Sequence, residues 1–286
     1  MLQVARLAPR QLGAAADELA DFLHGELHED GGARGRAGTS DLYYTPFLLE
    51  SLLALRSELP RERVADYLSG FGDGAGLDLV HTACLVRAWA ALGRAFPPGL
   101  AARSCAAFAA CRARDGGYGV HPGSEHGTLY NAFLALGMHQ DLGLELAEPL
   151  RLAHGIARLR CADGGYADNF ALDSGTTPTT AAAATLLRHL DQHIEDDVGA
   201  WLLERAHERG GFLALAEAPL PDLLSTATAL HALGGMQVPF DALRERCLDF
   251  IDTLWTGRGF VGTWDDDQAD CEYTFYALLA LGHLSV

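Results

Sequence analysis

Glycine-rich breaks recur along this chain at nearly fixed intervals, and that regularity limits the available folds more than any other feature. They read "DGGA" from Asp30, "DGAG" from Asp73, "DGGYG" from Asp115, "DGGYA" from Asp163, "RGGFL" from Arg209 and "RGFVG" from Arg258. Their separations are 43, 42, 48, 46 and 49 residues. A second marker, the start of an apolar helix, follows each break. Examples are "DLYYTPFLLESLLAL" from Asp41, "DLVHTACLVRAWAAL" from Asp78 and "DCEYTFYALLALG" from Asp270. The others are "EHGTLYNAFLALG" from Glu125, "GTTPTTAAAATLLRHL" from Gly175 and "DLLSTATALHALGG" from Asp222. Two markers sharing one period define an internal repeat in six copies, and a repeat chain must bury each unit against its neighbours.

Each unit reads as helix, glycine turn, helix. The first helices are amphipathic and fall at roughly 10–27, 61–69, 99–112, 147–160, 195–208 and 240–255 by their three- and four-residue apolar spacing. "EDDVGAWLLERAHER" is typical, with charges between its apolar positions. The second helices are apolar or small almost throughout, as in "TAAAATLL", and so demand burial on most sides. Gly at each turn supplies a left-handed backbone that ends a helix cheaply. The aromatic that follows (Tyr118, Tyr166, Phe212, Phe260) is expected to pack back on the turn. Alternating wet and dry helices close most economically as an inner ring inside an outer one. An open solenoid is the competitor, but its ends need polar caps, whereas "YALLALGHL" stays apolar to the C-terminus. The expected fold is all-α: a single domain over 1–286, six helical hairpins in two rings around a central cavity.

Charge and cysteine usage exclude several function classes. The chain carries 38 acids against 21 basic residues, a net −17, and every basic residue is arginine. Such a chain repels a nucleic-acid backbone, and without lysine it cannot carry a phosphate-cradling GxxxxGK loop. No run approaches the ~18 apolar residues of a membrane span. Six cysteines without CxxC spacing suit free thiols in a reducing compartment, so a cytoplasmic setting is expected.

The "DGGY" turns, the period and the "D..YT...LLALG" helices resemble the repeats of protein prenyltransferase β-subunits and squalene/terpenoid cyclases. The resemblance runs from about Asp30 to the end and implies an (α/α)6 toroid whose apolar cavity binds an isoprenoid chain. In the prenyltransferases an Asp-x-Cys pair and a later His hold zinc. Asp270 matches the Asp and Tyr273 the following Tyr, but Glu272 stands in the Cys place and Cys271 lies one position early. A second partial match is Asp41 with Tyr44 and His81, where Tyr43 replaces the Cys. Asp270, Cys271, Glu272, Asp41 and His81 are therefore the candidate metal ligands, for Zn2+ or Mg2+. The family's diphosphate-binding Arg and Lys are replaced here by "TWDDDQA". Anions so placed repel a bare diphosphate by about 1–4 kcal/mol per charge at ~4 Å. The cyclase branch, which protonates its substrate with a DxDD aspartate, is matched only loosely by "DDDQAD".

Four aspartates, a cysteine and a glutamate within Asp265–Glu272 are more than one helix start needs, since a single Asp suffices as a cap. Asp41, Asp78 and Asp222 are read as such caps, and Thr176 and Thr177 before Pro178 likewise. Crowded carboxylates beside apolar walls cannot all ionise, so one that stays protonated could give its proton to an alkene or epoxide. Asp265, Asp266, Asp267 and Asp270 are the candidate acids. Tyr43, Tyr44, Phe47, Trp89, Tyr130, Phe133, Trp264, Tyr273 and Tyr276 offer π faces for an apolar substrate or a cation. His121, Glu125 and His126 share a loop and have metal-like spacing, though such groupings also arise by chance. The expected activity is cyclisation or isomerisation of an isoprenoid-like chain. Alternatives are zinc-dependent prenyl transfer and a non-catalytic binder, with a partner subunit or homodimer left open.

Overall fold

A helix that is apolar all round must be enclosed, and the chain meets that demand by curling its six apolar helices into a ring. The computed structural model describes residues 1–286. Two short helical turns, α1 (Leu2–Ala5) and α2 (Pro9–Leu12), precede six hairpins. These are α3 (Ala15–Gly25) with α4 (Tyr44–Leu55), α5 (Arg61–Ser69) with α6 (Leu79–Leu92), and α7 (Leu100–Ala110) with α8 (Leu129–Leu142). They continue with α9 (Pro149–Ala157) and α10 (Thr177–His189), α11 (Val198–Leu203) and α12 (Leu223–Gly235), α13 (Arg244–Thr253) and α14 (Cys271–His283). The even-numbered helices from α4 to α14 each pack on the next, and α14 packs on α4, which closes the ring. That contact rules out the open solenoid. The α/α toroid expected from the repeat is the observed fold.

The repeat motif now has a mechanical explanation. The threonine near the start of an inner helix accepts the backbone N–H of the residue following the glycine turn. The pairs are Ala33 to Thr45 (3.1 Å), Tyr166 to Thr180 (2.9 Å), Phe212 to Thr226 (2.9 Å) and Phe260 to Thr274 (3.3 Å). A buried donor is thus satisfied and the turn is pinned to the helix it precedes. Neighbouring hairpins are joined in the same way. The backbone N–H groups of Leu129, Thr177 and Leu223 donate to the carbonyls of Asp168, Ala214 and Gly262 in the following loops, each at 2.9 Å. The aromatics after the turns are buried as expected, Phe212 completely.

Gly210 shows why the turns require glycine. Its φ is +93°, and a Cβ there would lie 1.8 Å from the Arg246 carbonyl oxygen of the next outer helix. Only a residue without a side chain lets the two backbones approach so closely.

Three boundaries differ from the sequence reading. The first outer helix is broken at Gly13, whose φ of +55° separates α2 from α3. The fifth, expected over 195–208, is helical only over Val198–Leu203. Asp41 does not cap its helix: the cap position falls at Tyr43, and the Asp41 carboxylate instead accepts the Tyr43 N–H at 2.8 Å. Two-residue strands, β1 (Ala33–Arg34) and β2 (Ser40–Asp41), pair in that loop and hold Asp41 outside the helix. Asp78, Asp222 and Asp270 are true caps, each accepting the N–H three residues on, and Thr176 caps α10 with a reciprocal bond from Thr179.

Candidate active site

The inner helices leave a hollow, made of two neighbouring apolar chambers of about 120 and 210 Å3. Tyr43, Tyr130, Phe133, Tyr276 and Met1 line both. On α4, Tyr43, Phe47 and Glu50 follow at four- and three-residue spacing and so share one face, which lines the smaller chamber. A third, more polar chamber of about 290 Å3 lies by the inner-helix C-termini, where Glu50, Arg87, Asp141, His189 and His231 meet α1. No helix is long and apolar enough to cross a membrane.

Of the nine aromatics expected to meet a ligand, Tyr43, Phe47, Tyr130, Phe133 and Tyr276 line the apolar chambers. The others lie elsewhere. Trp89 is buried in the core. Trp264 packs on Phe250 near the outer ring and donates its indole N–H to Thr253 at 2.7 Å. Tyr273 lies beneath the Arg36 guanidinium, 5.4 Å from its ring centre, and Tyr44 packs edge-on against Tyr43. Phe275 and Met138, which the sequence reading passed over, also line the smaller chamber.

None of the four aspartates expected to act as acids lines a chamber. Arg36, from the α3–α4 loop, reaches across the ring closure and holds two of them. Its Nε donates to Asp270 at 2.8 Å, and its Nη atoms donate to Asp266 at 2.7 and 3.3 Å. Burial pushes the Asp270 carboxyl up, against its bonds to the Tyr273 N–H and Arg36. For the more open Asp266, burial is outweighed by the Arg36 and backbone hydrogen bonds, and its carboxyl is held low. Asp265 accepts the Thr263 hydroxyl, and Asp267 is exposed. Two of the tract's five acids, Asp266 and Asp270, therefore form a clasp between the last hairpin and the first.

Glu272 is the carboxyl group of this tract that reaches the hollow, lining the larger chamber with Tyr43, Tyr130 and Tyr276. The Tyr43 hydroxyl donates to it at 2.7 Å. Burial pushes its carboxyl up, and the tyrosine bond only partly offsets this. Burial also lifts the Tyr130 phenol to about 12, so it is a neutral donor at any ordinary pH. The position of Glu272 in the repeat, two residues after the capping Asp270, was visible in the sequence, but its inward direction emerges only once the helix phase is known.

The residues present do not fit the zinc or magnesium site that the family resemblance implies. Asp270 is committed to Arg36 and Glu272 to Tyr43. Cys271 is fully buried, and burial, with Glu26 and Asp270 nearby, pushes its thiol well above the ordinary value, away from a thiolate ligand. His81 pairs with its own cap Asp78 at 2.8 Å, and Asp41 with the Tyr43 backbone. In the 121–126 loop, Glu125 pairs with Arg114 and His126 approaches Asp115. No three His, Cys, Asp or Glu side chains converge in a way that could hold a metal.

A ring of six hairpins closed around an apolar hollow defines the α/α-toroid class. The model of the prenyltransferase alpha-alpha toroid domain matches residues 14–205 and 179–285, and this chain belongs to that family. Among solved structures, Candida albicans protein geranylgeranyltransferase-I complexed with GGPP superposes with a TM-score of 0.68 at 15% identity, covering 92% of this chain and 89% of that one. An arginine-to-alanine variant of the type II terpene cyclase MstE from Scytonema, in complex with geranylgeranyl dihydroxybenzoate, gives 0.66 at 14% identity, covering 97% of each. A protein from Actinoplanes gives 0.62 at 15% identity, covering 95% and 98%. No curated protein sequence matches this chain.

Proposed function

We propose that this protein is a terpenoid cyclase-like enzyme that takes an isoprenoid or similar apolar chain into the hollow and cyclises or isomerises it by proton transfer from Glu272. The observation that carries this reading is the Glu272 carboxyl group set among tyrosines in an apolar chamber. Burial among apolar walls and neutral phenols pushes this carboxyl up and so favours its protonated form, the form an acid catalyst needs. Its O–H bond breaks as a C–H bond forms on the alkene, leaving a tertiary carbon cation. A second alkene of the same chain supplies the electron pair that closes a ring. Loss of a C–H proton to water restores an alkene and a proton from solvent returns Glu272 to its acid form, so product and substrate have the same mass. The Asp270–Arg36 pair stands behind this step as a support, since it fixes the start of α14 on which Glu272 sits. The toroid relatives crystallised with geranylgeranyl ligands favour a chain of that kind. Metal-dependent prenyl transfer is the weaker reading, because the candidate ligands are engaged elsewhere.

The test is incubation of the purified protein with geranylgeranyl dihydroxybenzoate, geranylgeraniol and geranylgeranyl diphosphate, each analysed for products of unchanged mass. Conversion by the wild type and its loss in Glu272→Gln are expected. A Glu272→Gln protein that converts as fast as the wild type overturns the assignment. Tight binding with no conversion of any probe makes the protein a carrier.

A further inference from the structure

Neighbouring hairpins are joined where a loop carbonyl accepts an N–H at the start of an inner helix, and one joint differs from the others in its side chain. The accepting residues are Asp168, Ala214 and Gly262, so two of the three offer nothing polar beyond the backbone. The joint therefore works without a carboxyl group. Asp168 carries one, and it lines the larger apolar chamber, which Glu272 also lines. Its Oδ1 accepts the Tyr130 N–H at 2.9 Å, which fixes the group at the start of α8. Its Oδ2 has only the amide of Asn169, at 3.4 Å, and no arginine or histidine forms an ion pair with it.

Two carboxyl groups thus face one chamber from different settings. Burial pushes the Glu272 carboxyl up and favours its acid form. Asp168 stands at a helix start, whose partial positive charge favours a carboxylate beside it. Carboxyl groups of one site kept in different protonation states are the arrangement of an acid and a base. Both act on the Tyr130 phenol, which stands in the same chamber. We propose that Asp168 is the base that ends the reaction, taking the C–H proton from the cyclised chain and handing it to water. The C–H electron pair becomes the new C=C bond, the proton forms an O–H bond on Asp168, and this partly exposed group releases it to solvent. The inference rests on the cyclase reading. Acid and base facing one chamber also fix the class of product: the reaction is stopped after a short travel, so the chain is cyclised only at the end that Glu272 protonates and keeps its remaining alkenes.

The test reads products rather than rate alone. The full-length protein is given geranylgeraniol and geranylgeranyl dihydroxybenzoate, and the products are resolved by chromatography with mass spectrometry. The wild type should give one main alkene, cyclised at one end only. Asp168→Asn keeps the Tyr130 bond through its amide oxygen and should still consume substrate, since Glu272 still starts the reaction. The ratio of the main alkene to its isomers and to a product heavier by one water should fall by about 10-fold or more, short of the ~100-fold that a positioned base can contribute, because water takes its place. Asp168→Glu should restore part of that ratio, whereas a purely structural role is met by Asn and not by Glu. An unchanged ratio in Asp168→Asn overturns the inference, as does complete loss of consumption or a wild-type product cyclised along its whole length. With conversion still dependent on Glu272, the cyclase reading then stands. If the wild type converts neither probe, that reading falls, and this inference with it.

Discussion

Replacing Arg36 by alanine should open the ring where it closes. The guanidinium bridges Asp266 and Asp270 on the last hairpin from a loop of the first, and Gln268 returns a bond to the Arg36 carbonyl. Two limits bracket the effect. Breaking a fully buried ion pair costs about 3–5 kcal/mol, and losing hydrogen bonds to charged groups about 1.5–3. Asp270 is only 3% exposed, but the Arg36 side chain is 38% exposed, so water replaces part of what is lost. The lower limit governs, and we expect a loss of about 2 kcal/mol at pH 7.5, read from urea denaturation midpoints at unchanged m-value. The sign with pH follows from both partners. Asp270 already has a raised carboxyl, which rises further without Arg36, so falling pH relieves the variant by protonating it. Asp266 is held low in the wild type, and the stability it contributes is lost as pH falls below the ordinary carboxylate range. The Asp270 effect shrinks the difference between variant and wild type toward pH 4.5, and the Asp266 effect shrinks it further below about pH 4. A penalty below about 0.5 kcal/mol at pH 7.5, within the usual scatter for surface substitutions, would refute the clasp. So would a penalty that grows as the pH is lowered.

His231 and His283 share a hydrogen bond at 3.0 Å, and burial holds them down to about 3 and about 4. The unfolded chain takes up their protons below about pH 6.5, so stability should fall between pH 6.5 and 4 by up to about 2.7 kcal/mol per pH unit. His231→Gln should flatten that slope in pH-dependent urea melts. Gly210→Ala, with its Cβ driven into the Arg246 carbonyl, should cost more than about 3 kcal/mol or prevent soluble expression. Thr226→Val removes the acceptor for the buried Phe212 N–H and should cost about 1–3 kcal/mol, measured by chemical denaturation.

The repeat made the fold legible because each copy repeats one physical device. Threonines 45, 180, 226 and 274 sit at one register and hold one kind of turn, so the pattern survives in the letters. The site was less legible because it consists of exceptions to the repeat. Arg36 is an ordinary loop arginine in the sequence, and nothing local says that it crosses to Asp266 and Asp270, more than 200 residues away. Without that partner the acidic tract reads as surplus charge in search of a proton or metal. Glu50 and Arg87 are single polar letters in apolar helices, and their convergence needs the angular phase of α4 and α6 about the ring. Asp41 was misplaced because the small β1–β2 pairing, two residues long, leaves no periodic trace.

Closure of the ring and assembly of the site are the same event. Glu272 stands on the last inner helix and its donor, Tyr43, at the start of the first. Until α14 docks on α4 the acid has neither its hydroxyl partner nor its apolar wall, since Phe47 of α4 meets Phe275 and Tyr276 of α14 only across that seam. The acidic tract bears on this twice. Two of its aspartates, Asp266 and Asp270, hold the seam through Arg36, and its glutamate, Glu272, uses the enclosure they secure. A carboxyl in an open, hydrated groove would ionise as an ordinary surface acid, so weakening the clasp should lower the apparent pKa of Glu272 before it abolishes folding. The alkaline limb of a pH–rate profile, where activity is lost as Glu272 gives up its proton to solvent, therefore reads closure when wild type and Arg36→Ala are compared: an unchanged limb in a measurably loosened variant would separate the clasp from the chemistry.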